Sequence, residues 1–291
     1  MPRTIRPRRS MLYMPGSNAR ALDKARGLPA DALIFDLEDA VAPDAKDQAR
    51  AMVVEAVKAG GYGGREIVIR VNGLASPWGH QDIVAAARSG AHGILLPKVE
   101  GPGIVRQVAS LLEVNDAPQE LTIWCMVETP LGVLHAERIA GAGPRLVGLI
   151  MGTSDLAKDL HASHTLERVP MLTSLSLCLL AARAFGVSIV DGVHLDLQDT
   201  EGFARACRQG SELGFDGKTL IHPSQIGPAN EAFAPTPSAV EAARRVIAAH
   251  KEAAEAGKGV IVIDGRLVEN LHVEQARRVL ALAQAIEALA A

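Results

Sequence analysis

Aromatic residues are scarce in this chain: Phe, Trp and Tyr together make up 3% of its 291 residues, while 48% are hydrophobic. A core of that size must be built from Ala, Val, Leu and Ile, the residues that fill buried parallel strands and the helices covering them. Charge of one sign is also missing. The net charge of −3 offers no basic stripe for a nucleic acid. No apolar run free of charge approaches the roughly 20 residues needed to cross a bilayer. The three cysteines, Cys125, Cys178 and Cys207, are scattered without CxxC spacing, so buried thiols are expected rather than a disulfide or zinc site. The basic start, MPRTIRPRR, lacks the apolar region of a secretory signal and the length of a transit peptide. These absences leave a cytoplasmic globular protein as the expectation.

What is present is alternation. Short β-rich apolar runs at 10–14, 32–37, 66–71, 93–99, 122–128, 146–152, 187–193 and 218–223 alternate with Ala-rich helical patterns. They recur at about the length of one βα unit. Helices are predicted over 44–58, 101–114, 174–185 and 200–213, with capping signals at Pro43-Asp44 and Asp199-Thr200. Eight βα units can form an open sheet or a closed (β/α)8 TIM barrel. No GxGxxG follows the first strand, which removes the dinucleotide-binding signature of the open sheet. Polar residues stand at the ends of most strands: Asp36, Arg70, Lys98, Glu128, Asp155, Asp191 and His222. A barrel gathers such ends around one mouth, where its active site is built. The barrel is expected over 1–230. The remainder, 231–291, is expected to be a C-terminal helical extension, with helices at 238–255 and 273–290 joined by KGVIVIDGRL.

Glu128 in MVETP and Asp155 in MGTSDLAKDL follow neighbouring strands, about 5 Å apart, and can reach one ion. Two carboxylates completed by water and substrate oxygens suit Mg²⁺, with Mn²⁺ as an alternative. Separately, Asp155 could cap a helix and Glu128 could serve a salt bridge. Arg70 ends a buried strand, where its planar fork suits either a substrate carboxylate or one of the acids in FDLED. Asp36, Glu38 and Asp39 are expected as acceptors around the metal's waters and Arg70, or else as a solvated rim. Lys98 invites a metal-free Schiff-base mechanism, but nearby acids would hold it protonated. His222 before Pro223 is expected to be structural. Ser154 lacks a G-x-S-x-G elbow, so serine-hydrolase chemistry has little support. A helix after Tyr13-Met-Pro-Gly16 carries Arg20 and Lys24 four residues apart on one face, either as a solvated face or as an anion site.

The segments RRSMLYMPGSNARALDKA, ALIFDLEDAVAPDAKDQAR, IVIRVNG, ILLPKVE, MVETPLG, MGTSDLAKDL and GFDGKTLIHPSQI resemble, in order and over nearly the whole chain, the citrate lyase beta-subunit-like CoA-ester lyases of the HpcH/HpaI aldolase superfamily. The resemblance implies Mg²⁺ on Glu128 and Asp155, a substrate carboxylate on Arg70, a substrate contact at Glu128, Asp36 within the catalytic group, and coenzyme A near Tyr13, Arg20 and Lys24. It also implies a homotrimer or homohexamer whose C-terminal segment reaches a neighbouring subunit. The implied reaction is reversible cleavage of malyl-CoA, citramalyl-CoA or β-methylmalyl-CoA into a 2-oxo acid and acetyl-CoA or propionyl-CoA. Two alternatives are a malyl-CoA thioesterase at the same metal site and the beta subunit of a citrate lyase complex. One departure stands out. Where the lyases place an acid/base Asp, this chain has Glu269 in Asp264-Gly-Arg-Leu-Val-Glu269, with Asp264 as a second candidate.

Overall fold

The computed structural model describes residues 5–255, 261–263 and 266–290. Eight parallel strands close into a barrel in sequence order: β1 (Ser10–Pro15), β2 (Ala32–Asp36), β3 (Glu66–Arg70), β4 (Gly93–Leu96), β5 (Thr122–Val127), β6 (Leu146–Met151), β7 (Ser188–Asp191) and β8 (Gly217–Leu220). β8 returns to pair with β1, so no edge is left open. Each run that the sequence marks as a strand overlaps one, with β1 reaching one residue past its run and β8 starting one residue before its own. This is the expected (β/α)8 barrel.

Period-2 alternation sorts the strand residues into two cores. Met11, Ile34, Val68, Leu95, Trp124, Met126 and Ile150 fill the barrel interior. Their outward neighbours, among them Leu33, Phe35, Ile69, Ile94, Cys125 and Leu149, meet the surrounding helices. Arg8 plugs the N-terminal end: its guanidinium lies 4.7 Å from the Trp124 ring centroid and donates to Glu66 and Ser188. The cysteines are free and buried, as expected.

The helices are α1 (Ala19–Lys24), α2 (Lys46–Ala59), α3 (Gly79–Ala87), α4 (Pro102–Val114), α5 (Pro130–Leu134), α6 (Ala136–Ala140), α7 (Thr153–Asp159), α8 (Val169–Ala184), α9 (Thr200–Leu213) and α10 (Ile226–Ala232). Asp199 caps α9 by accepting from Gly202 N–H. Two starts differ from expectation. Pro43–Ala45 forms a 3-10 turn, so α2 begins at Lys46 with no side-chain cap. α8 begins five residues earlier than expected, at Val169, because Pro170 fits the first helical turn.

Arg8–Phe233 forms one compact unit, and the chain from Ala234 belongs to another. In the latter, α11 (Pro237–Glu255) packs against α12 (Asn270–Ala290), and β9 (Ile261–Ile263) pairs antiparallel with β10 (Arg266–Val268). Among the described residues, no helix is long and apolar enough to cross a membrane.

Candidate active site

The alternation that fills the barrel also builds its mouth. One inward step beyond Met11, Ile34, Val68 and Met126 come Tyr13, Asp36, Arg70 and Glu128. With Thr153 and Asp155, these four line a cavity of about 440 Å³. It lies at the C-terminal ends of the strands, where barrel active sites are built.

Arg70, 8% exposed, sits directly across from Asp36 in the β2–β3 register. Its Nε donates to Asp36 Oδ1 at 2.7 Å and its Nη2 to Oδ2 at 2.6 Å. The remaining nitrogen, Nη1, lies 2.9 Å from Glu38 Oε2 and 3.8 Å from Asp39 Oδ2. Burial is the largest influence and works against the guanidinium charge, but the hydrogen bond to Asp36 and the charges of Tyr13, Asp36 and Glu38 together outweigh it and raise the pKa. Asp36 also accepts the N–H groups of Glu38 and Ala40, which fixes the turn leaving β2. The Arg70 guanidinium lies 4.9 Å from the Tyr13 ring centroid. The Tyr13 hydroxyl is buried without a hydrogen-bond partner among the described residues, and burial raises its pKa. Sequence reasoning left Arg70 between a substrate and the FDLED acids; Asp36 takes its fork.

Glu128 is 2% exposed and pairs with no cation among the described residues. Its Oε1 accepts the backbone N–H of Lys98 at 2.7 Å. Lys98 holds a left-handed backbone, φ 49°, at this point. Burial, reinforced by the charges of Glu38 and Asp155, pushes the Glu128 carboxyl up to about 7. Gly152 makes room for it. A Cβ there would stand 2.3 Å from Glu128 Cβ and 2.7 Å from Oε2. Asp155 lies in the first turn of α7 and lines the same cavity, with no hydrogen bond or ion pair among the described residues. It is not the cap, since Gly152 occupies that position.

Glu128 and Asp155 thus fit a hard divalent cation. They are two carboxylates with no ion pair among the described residues beside one cavity, one of them held up in pKa by burial. Among the described residues no group of three His, Cys, Asp or Glu is arranged to hold a metal ion. Water and substrate oxygens would therefore complete the shell, as Mg²⁺ accepts.

Lys98 Nζ lies 3.5 Å from Glu38 Oε1. Burial lowers its pKa, but Glu38, Glu128, Asp39 and Asp155 together raise it, so the amine stays protonated and is a poor Schiff-base nucleophile. Burial likewise raises Glu38, helped by Asp39 and Asp36 against the pull of Arg70 and Lys98. The Ser154 hydroxyl is buried without a hydrogen-bond partner among the described residues, so no base activates it. His222 Nδ1 caps the turn at Ser224, a structural role.

Other expected residues lie elsewhere. Asp191 does not face the mouth. It points into the helix layer and is 0% exposed, held by Lys218 at 2.8 Å and Arg168 at 2.6 Å, with α9 at Gly210 close by. The reason is parity: Val190, its neighbour, occupies the interior position. Arg20 and Lys24 lie on exposed α1, whereas Tyr13 packs against the barrel interior. Glu269 lies between β10 and α12 in the second unit, exposed, with its N–H donating to His272 Nδ1 at 3.0 Å. Asp264 lies outside the described residues. Sequence reasoning missed Gly152 and Lys46. A glycine directly after a buried strand and a lysine opening a helix were the signals available.

Sequence comparison agrees with this geometry: the HpcH/HpaI aldolase/citrate lyase family model matches residues 9–223, nearly the whole barrel. The chain belongs to that family. It is 50% identical to a (3S)-malyl-CoA thioesterase of Cereibacter sphaeroides, over 98% of both chains. It is 38% identical to citrate lyase subunit beta of Escherichia coli, over 97% of this chain and 95% of that one. Among solved structures, it is similar to the Mycobacterium tuberculosis protein CitE in complex with magnesium, acetoacetate and coenzyme A. The TM-score is 0.73 and the identity 29%, covering 94% of this chain and 97% of that one.

Proposed function

We propose that the protein hydrolyses the thioester of a 3-hydroxyacyl-CoA of the malyl-CoA type at a Mg²⁺ site on Glu128 and Asp155. The observation that carries this reading is the 50% identity, over 98% of both chains, to a (3S)-malyl-CoA thioesterase, against 38% to a citrate lyase beta subunit. The magnesium and coenzyme A bound by the CitE protein support the ligand classes.

Bound Mg²⁺ would supply a Lewis acid for the oxygens of the acid end of the substrate. The chain's own residues do the rest. Asp36 holds the Arg70 fork, so that Nη1, which lies 2.9 Å from Glu38 Oε2, is the nitrogen proposed to meet the substrate carboxylate. Lys98 fixes Glu128 through its backbone N–H and adds a cation beside Glu38. Arg20 and Lys24 are the candidate partners for the phosphates of coenzyme A. Water adds to the thioester carbon, the C–S bond breaks, and one water proton ends on the departing sulfur. Glu269 is the proposed base for that water. The expected homotrimer or homohexamer belongs to the same proposal.

A second reading is the Mg²⁺-dependent lyase, splitting malyl-CoA, citramalyl-CoA or β-methylmalyl-CoA into a 2-oxo acid and acetyl-CoA or propionyl-CoA. The acetoacetate in complex with the CitE protein, a small oxo acid, favours it. The match to citrate lyase beta subunits leaves room for work within such a complex. The test is to incubate the protein with malyl-CoA and Mg²⁺ and to measure malate, free thiol and glyoxylate. Malate with free coenzyme A is the expected result. Glyoxylate with acetyl-CoA would replace hydrolysis by the lyase.

A further inference from the structure

Lys46 is 6% exposed and opens α2, where the helix dipole disfavours a cation. Burial also works against its charge, opposed by Asp36, Glu38 and Asp82. A lysine kept against both effects needs a reason beyond packing. Its ammonium has three donors. One reaches Leu37 O at 2.8 Å, one Glu38 O at 2.6 Å, and one Asn72 Oδ1 at 2.8 Å. The Trp78 ring centroid lies 5.4 Å from the same nitrogen.

These acceptors belong to the two strand ends that form the acid side of the cavity. Leu37 and Glu38 follow Asp36 at the end of β2, and Asn72 is two residues beyond Arg70 at the end of β3. Asn72 Nδ2 returns to Leu37 O at 2.8 Å and to Asp82 Oδ2 at 2.7 Å, and its backbone N–H meets Asp82 at 2.9 Å. Arg50 Nε closes the network on Asp82 Oδ1 at 2.6 Å. No donor of Lys46 is spent on a side chain lining the cavity.

We infer that Lys46 is a positioning residue for Arg70: its ammonium ties the end of β2 to the end of β3 and so sets where Nη1 stands relative to Glu38. The inference rests on the reading that Arg70 receives the substrate carboxylate. A lysine that merely clamped the fold would be replaceable. An apolar residue of similar volume in place of a buried charge is often neutral for stability or stabilising.

The experiment compares Lys46→Met with Arg70→Lys and the unchanged protein, following loss of the malyl-CoA thioester by either route, and records thermal midpoints. Losing charge-assisted hydrogen bonds from the network should raise KM about tenfold in Lys46→Met. Its kcat should stay within about threefold and its Mg²⁺ half-saturation should not move, because Glu128 and Asp155 are untouched. A wild-type KM in folded Lys46→Met overturns the inference, as does an equal loss in KM and kcat. If Lys46→Met does not fold, Asn72→Ser, which cuts the same bridge, must show the KM-selective loss; a wild-type KM there overturns it too. Arg70→Lys separates the two layers. If it leaves KM unchanged, the reading of Arg70 fails. If it raises KM while Lys46→Met does not, only the role of Lys46 fails.

Discussion

Arg70 and Asp36 meet as a two-pronged ion pair across adjacent strands, Nε to Oδ1 at 2.7 Å and Nη2 to Oδ2 at 2.6 Å. The pair uses the guanidinium edge that a substrate carboxylate would otherwise take, and the remaining nitrogen, Nη1, already lies 2.9 Å from Glu38 Oε2. Asp36 is therefore expected to matter for both folding and binding. Asp36→Ala strands a buried cation, which costs about 3–5 kcal/mol when one partner of a buried pair is removed. Denaturant unfolding should record that loss, and KM should rise with it. An Asp36→Ala protein of wild-type stability would mean that Arg70 finds another anion.

Gly152 should tolerate no side chain. The Cβ of Gly152→Ala would press on Glu128 Cβ at 2.3 Å and Oε2 at 2.7 Å, so Glu128 must move. Disturbing the support of a metal ligand typically weakens binding about 10–100-fold. Calorimetric titration with Mg²⁺ would detect this, and unaltered affinity would refute the placement of the metal beside Glu128.

Glu128 gives the metal-free protein a pH signature. Its carboxyl is raised from 4.5 to about 7 by burial. Between those values the folded state binds more protons than the unfolded one, so this group's contribution to stability falls as pH rises from 4.5 to 7 and is fully lost above 7. Mg²⁺ competes with that proton, so its affinity should strengthen toward pH 7 and then level off. Unfolding in EDTA at pH 5, 6, 7 and 8 tests the first part. Glu128→Gln should flatten the slope; an unchanged slope in that variant would assign it to other groups.

Lys98 offers a backbone test. Its φ of 49° favours glycine, so Lys98→Gly should keep the N–H to Glu128 while relieving roughly 1 kcal/mol of strain. Lys98→Val should strain the turn and weaken Mg²⁺ binding. Equal Mg²⁺ affinity in the two variants would mean that this backbone geometry does not hold Glu128.

Glu269 bears on the choice of reaction. Its carboxylate is one methylene longer than the Asp implied by the resemblance, a displacement large enough to change a rate ~100-fold. Glu269→Asp is expected to shift products toward glyoxylate at the expense of malate. An unchanged ratio with wild-type turnover would remove Glu269 from the chemistry.

Much of the barrel was legible in the residues. The eight apolar runs each overlap a strand, since branched aliphatics in short blocks between Ala-rich stretches have few other stable arrangements. Glu128, Asp155, Arg70 and the FDLED acids stood out because charged groups rarely end buried strands without a task. Helix starts were less legible: α8 opens at Val169, ahead of Pro170, where Ser174 was expected, and Asp44 sits in a 3-10 turn instead of capping α2. Asp191 reads in sequence like another mouth residue, and only strand parity turns it into the helix layer.

By itself, the sequence determined the barrel, the pair of carboxylates after neighbouring strands and the arginine beside them, because local period and burial preference act along the chain. Tertiary structure alone decided the pairings between distant segments. Asp36 takes the fork of Arg70, Lys98 lends Glu128 a backbone N–H, Gly152 clears the space for it, and Lys46 ties two strand ends together. Those contacts depend on register and on angles at strand ends, which no pattern in a single chain specifies.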